Sequence, residues 1–194
     1  MRRLLYLLLP AVWLCLSGQA WANVIVTFYS YDLGENYPHA FFTAQGHLSD
    51  GTVIDNQYGF TTKIITPTIL FGSVKGYVRG TSKKYIQKSD PHFAIALTDE
   101  DYQSVMDIVQ DWSSRPGKSY NLNKRNCVHF VRDVLVALGI KVNEESSNFK
   151  KPKSYLREVS TLNPYLEWPI SGKSKESISV ATPAMPTASA IERP

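Results

Sequence analysis

The stretch from Asn126 to Gly139 constrains the fold more tightly than any other part of the chain. Cys127, Phe130, Val131, Val134, Leu135 and Leu138 fall at i, i+3, i+4, i+7, i+8 and i+11, one continuous apolar stripe at helical spacing. Asn126 is a strong N-cap type and Gly139 suits the C′ position, so both ends of the helix are marked. A helix with one apolar stripe must bury it against another element. The N-terminal half supplies strands for that purpose. Val24-Ile25-Val26-Thr27-Phe28-Tyr29, His39 to Ala44, Thr52 to Phe60 and His92 to Leu97 are rich in β-branched and aromatic residues. Gln45 to Gly51, with Asp50-Gly51 at its end, reads as a hairpin turn between the second and third of them.

A second helix is expected over 99–113. Thr98 is its candidate cap, Asp99, Glu100 and Asp101 fill its first turn, and Tyr102, Val105, Ile108, Val109 and Trp112 form its stripe. Residues 61–90 contain Gly72, Gly76 and Gly80 and suggest irregular strands and loops. Residues 141–170 read as a loop and a loosely structured segment carrying Tyr155, Leu156, Tyr165 and Trp168. The expected class is α+β: an antiparallel sheet packed against the helix that starts at Cys127.

The first 22 residues stand apart. Arg2 and Arg3 precede an apolar run from Leu4 to Leu16, and Ala20-Trp21-Ala22 is an A-x-A cleavage site. This is the layout of a secretory signal peptide, with an apolar run short for a bilayer span. The division expected is therefore a leader at 1–22, a domain at 23–145, an extension packing on it at 146–170, and a Ser-, Lys-, Ala- and Pro-rich disordered tail at 171–194. Export places the protein in the periplasm or outside the cell. Loss of Arg2 and Arg3 leaves 19 Lys and Arg against 17 Asp and Glu. That mild excess admits peripheral contact with an anionic envelope surface and gives no case for nucleic acid. A monomer is expected.

Cleavage also removes Cys15, so Cys127 becomes a lone thiol in an oxidising compartment. At the first helical position it faces unpaired N–H groups and the positive end of the macrodipole. Such positions lower a thiol pKa to roughly 3.5–7.5, and the same N–H groups can hold an oxyanion. A buried apolar role for the cysteine is the plain alternative. A thiol nucleophile needs a base, and four histidines are available. His129 points about 200° around the helix from Cys127, and His47 sits in the expected turn. His39 and His92, each at the start of a strand, stay open as candidates. Metal binding through Cys127 and His129 is disfavoured by their i, i+2 spacing, and no cofactor or metal is expected.

The run Tyr120-Asn-Leu-Asn-Lys-Arg-Asn126-Cys127-Val-His129-Phe130-Val131 resembles the cysteine motif of circularly permuted NlpC-type papain-like enzymes, in particular the lecithin:retinol acyltransferase-like group. Pro38-His39-Ala40-Phe41-Phe42 resembles their histidine strand, which precedes the cysteine helix in the chain, and Tyr58-Gly59-Phe60 is similar to an element of bacterial members. The resemblance spans roughly residues 24–140. It implies a permuted papain-like core with Cys127 as nucleophile and His39 as general base. It also implies a third, polar residue on the return strand. The acyltransferase group has a second histidine there, which this chain lacks. Asp55 and Gln57 are the candidates, and Asp55 is preferred because a carboxylate would stabilise an imidazolium. Tyr120 is a candidate for the wall of the site, and equally for packing.

The activity so implied is an exported cysteine hydrolase that cleaves amide bonds, with cell-wall peptides as the expected substrates. A lipid or acyl-ester hydrolase or acyltransferase is the alternative. A binding module that has kept the fold without catalysis is a third reading.

Overall fold

The computed structural model describes residues 23–32, 38–62 and 68–166. The leader expected at 1–22, the tail expected at 171–194 and the last four residues of the expected extension lie outside them. The chain opens with β1 (Asn23–Tyr31), β2 (His39–His47) and β3 (Val53–Thr62). Then come α1 (Thr68–Phe71), β4 (Ser73–Val74), β5 (Gly76–Arg79), α2 (Lys83–Gln87) and β6 (Asp90–Leu97). Helix α3 (Asp99–Ser114), β7 (Tyr120–Asn121), α4 (Cys127–Ala137) and α5 (Pro152–Leu162) complete it.

Five strands form one sheet in the order β5-β3-β2-β1-β6, every pair antiparallel. Strand alternation sorts the side chains. Val24, Val26 and Phe28 of β1 and Ala40, Phe42 and Ala44 of β2 are buried on one face. The stripe of α4 packs there with Tyr102, Val105, Val109 and Trp112 of α3 and Tyr155, Leu156 and Val159 of α5. Phe42 is the joint, with its ring centroid 5.7 Å from both Phe28 and Phe130. Full burial of each such side chain contributes about 1.5–3 kcal/mol. On the opposite face Phe41 stacks on Tyr29 at 5.2 Å and meets Tyr85 of α2 at 5.6 Å.

The turn chemistry explains the element ends. Thr98 and Asp101 close a capping box at the start of α3. At the end of α4 the N–H groups of Gly139 and Ile140 bond to the carbonyls of Val136 and Leu135, with Gly139 at φ +70°. The hairpin turn falls at Leu48–Thr52, with Gly51 at φ +85°, so β2 continues to His47 instead of ending at Ala44.

Helix α5 is the main departure from the sequence expectation of a loose segment. Pro152, Tyr155, Leu156 and Val159 give an i, i+3, i+4, i+7 stripe, and all four are buried. No side chain caps its start; Pro152 opens it instead. Lys153 fastens it to the ends of β1 and β6 through Asp32 at 2.9 Å and Asp90 at 2.7 Å.

One of the two histidine candidates is consumed by the fold. The β1–β6 register slips between Phe28 and Tyr29, a bulge that turns His92 inward. Its Nε2 lies 2.8 Å from Ser30 Oγ, and the residue is 2% exposed. Burial pushes its pKa down to about 4, with Asp90 and Asp32 raising it less and Arg157 and Lys153 lowering it further. Between about pH 6.5 and 4 the unfolded chain binds a proton here that the folded chain refuses, so stability falls as the solution is acidified. From pH 7 to pH 5 this group removes about 2 kcal/mol. Urea unfolding at the two pH values should show the wild type losing about 2 kcal/mol more than His92→Gln does.

Candidate active site

Helix α4 begins as its sequence requires. Asn126 is extended (φ −122°, ψ −171°) and its side-chain oxygen accepts the N–H groups of Val128 at 2.8 Å and His129 at 3.2 Å. The Asn126 amide donates in turn to the carbonyls of Leu122 and Phe149, both at 2.8 Å. Arg125, just before it, lies over the Trp112 ring at 3.7 Å. Cys127 is thereby held at the first turn, facing the start of β2. The backbone N–H groups of Ala40, Cys127 and Val128 all point at its sulfur.

Cys127 and His39 open onto one cavity of about 560 Å³. Ala40, whose N–H meets the thiol, is the residue next to His39. The imidazole stacks on Phe41 at 6.0 Å and its Nε2 lies against the backbone of Gly59. A methyl group at Gly59 would stand 2.6 Å from that nitrogen, so only glycine admits the ring in this pose. Tyr120 and Tyr85 also line the cavity. Burial raises both phenols, with Tyr31 and then Cys127 adding to it at Tyr85 and Cys127 at Tyr120, so they are hydrogen-bond donors at any accessible pH.

The electrostatics differ from the expectation of a thiolate. Burial pushes the Cys127 thiol up to about 11, and the three N–H groups offset only part of that. Burial, and secondarily the positive charge of Arg79, pushes His39 down to about 4. The pair therefore rests as thiol and neutral imidazole. Moving the proton across a gap of this size costs of the order of 10 kcal/mol before the attraction of the resulting ions.

The remaining candidates lie elsewhere. Asp55 pairs across the ladder with Gln45 and accepts its amide at 3.0 Å, at the exposed end of the hairpin. Gln45 is six residues from His39, roughly 20 Å along the strand, so Asp55 shares the face of His39 but cannot orient it. Gln57 stands opposite Thr43, its side-chain oxygen 3.3 Å from the Cβ position of Gly80, and does not line the cavity. Among the described residues no carboxylate lines the cavity. His129 is stacked on Phe149 at 4.5 Å, with Nδ1 3.0 Å from Asn126 Oδ1. His47 ends β2. Among the described residues no three His, Cys, Asp or Glu side chains converge as metal ligands.

Sequence reasoning missed Arg79, Tyr85, Phe149 and Lys150, which also line the cavity. The first two sit in the stretch without a clear period, and the last two follow α4 in the segment read as loose.

No family model matches the chain, and no curated protein does. A crystal structure of the type VI secretion system effector TseH is similar at a TM-score of 0.48 and 14% identity, over 72% of this chain and 89% of that one. A likeness of that size carries no conclusion about chemistry or substrate.

The thiol chemistry is directly testable. Alkylation of Cys127 by iodoacetamide should accelerate about tenfold per pH unit from 6 to 9, as expected for a raised thiol pKa. A rate that is flat above pH 7 would show a preformed thiolate instead.

Proposed function

We propose that the chain is an exported cysteine hydrolase that cleaves amide bonds of cell-wall peptides. The observation that carries this is the convergence of the Cys127 thiol, the His39 imidazole and three backbone N–H groups on one cavity. The sequence resemblance around Asn126-Cys127 and His39, with the histidine strand preceding the cysteine helix, supports the same reading. The leader-like residues 1–22 support action in the envelope.

Cys127 Sγ attacks the scissile carbonyl while His39 takes its proton. The N–H groups at the helix start and at Ala40 stabilise the oxyanion, with Tyr85 and Tyr120 as further donors. His39 then protonates the leaving amine. A water, deprotonated by His39, releases the acyl group. The cost of about 10 kcal/mol for separating the proton fits under the barrier of about 16 kcal/mol that a turnover near 10 s⁻¹ permits. The neutral pair is therefore compatible with catalysis by general base. Stacking on Phe41 and the close floor at Gly59 do the orienting that a third residue would otherwise supply.

The decisive comparison sets wild type against Cys127→Ala and His39→Ala on purified peptidoglycan and on mixed phospholipids. Release of amines from peptidoglycan should vanish in Cys127→Ala and fall at least about 10²-fold in His39→Ala. Ester release from phospholipid alone would favour the acyl-ester reading, and activity on neither a binding module. Gly59→Ala should cost about 10²-fold in kcat/KM with the fold retained, because it displaces the base. The pH profile of kcat/KM should be broad, with its acid limb near 4 and its alkaline limb near 11.

A further inference from the structure

Among the described residues, the charged side chains that line the cavity beside Cys127 are of one sign. Arg79 and Lys150 line it from two different walls, and among the described residues no Asp or Glu lines it with them. Arg79 ends β5 directly opposite Gly59, the residue on which the His39 ring rests. Its guanidinium has neutral partners: Nε donates to the Gly80 carbonyl and Nη1 to the Tyr77 hydroxyl, both at 3.3 Å. Lys150 follows Phe149, whose carbonyl is tied to the Asn126 amide, so the backbone that carries the second cation is held in place.

We propose that this cavity selects peptides carrying a free carboxylate close to the scissile carbonyl, with Arg79 binding that carboxylate and Lys150 reinforcing it. The proposal rests on the hydrolase reading for the word peptide. The anion site itself does not depend on it. A guanidinium that presents its remaining N–H donors to an open cavity matches a carboxylate in a two-bonded fork, which an ammonium cannot reproduce. The arrangement also has a consequence for the base. Arg79 puts a positive field on His39 in the empty site, and a bound carboxylate cancels it. Burial remains the larger cause of the weakened base, so an anionic substrate relieves only the smaller part that Arg79 adds. Binding energy is thus linked to the proton transfer rather than to affinity alone.

Two reagents of nearly equal size read the site without assuming any substrate. Iodoacetate carries a carboxylate and iodoacetamide a neutral amide, and both alkylate Cys127. Rates are measured on the full chain at pH 9, where a measurable fraction of the thiol ionises, and expressed relative to 2-mercaptoethanol. The wild type should prefer iodoacetate about tenfold over the free thiol, the preference shrinking in 0.5 M salt. Arg79→Gln should abolish it, Lys150→Gln should reduce it, and Arg79→Lys should restore it in part. A ratio equal to that of the free thiol, a ratio unchanged in Arg79→Gln, or no reaction with either reagent would overturn the proposal. A matched peptide pair, free carboxylate against carboxamide beside the cleaved bond, then tests the substrate class. Failure to cleave either peptide with the reagent preference intact would sink the hydrolase reading alone. Equal cleavage of both would sink the selectivity.

Discussion

Asn126 is the side chain on which the site depends. Its oxygen takes two of the orphan N–H groups at the start of α4, and its amide nitrogen holds the carbonyls of Leu122 and Phe149. One residue thus sets the position of the thiol, closes the loop before it and fixes a wall of the cavity. Substitution of a cap typically costs about 1 kcal/mol. Here it would also leave two carbonyls without their donor. The loop before Phe149 is held from the other side by Glu158 of α5, which accepts from Ser146, Asn148 and Asn143. Helix α5 therefore belongs to the site as well as to the core, since it keeps the wall that Asn126 grips.

The strands, the two long helices and the cap were legible because each is written in a local code. Alternation set the β1 and β2 faces, acids marked the start of α3, and Asn126 and Gly139 bounded α4. Helix α5 carries a comparable stripe but lacks a side-chain cap. Its proline opens a helix as readily as it breaks one, so the stripe competes with a breaker signal. The region from 61 to 90 has no period at all. Its short elements are placed by tertiary pairing, with β5 on β3 and Tyr85 on Phe41. Arg79 and Tyr85 enter the site through that pairing and could not be read from their neighbours.

Two site expectations failed for reasons of distance and solvation. Asp55 lies on the expected face, but face and position along the strand are independent. The turn at Leu48–Thr52 sets the register so that Asp55 meets Gln45, and the same register extended places Thr61 beside His39. At Cys127 the helix start does supply N–H groups, yet desolvation outweighs them. Capping geometry is a sequence property; the depth at which the cap is buried is not. His92 illustrates the converse, since a bulge that no sequence pattern announced turns a strand histidine into a core residue.

The neutral pair and the cations that line the cavity belong to one site. Burial keeps the thiol protonated, while the cations that line the cavity sit at its exposed walls. A cation near His39 is costly for a base in an empty site. It becomes an advantage only when a counter-charge arrives with the substrate. Such a site already holds a neutral base, and a substrate carboxylate relieves the part of its weakening that Arg79 causes. Stacking on Phe41 and the glycine floor at Gly59 orient the ring by shape alone, without contributing charge.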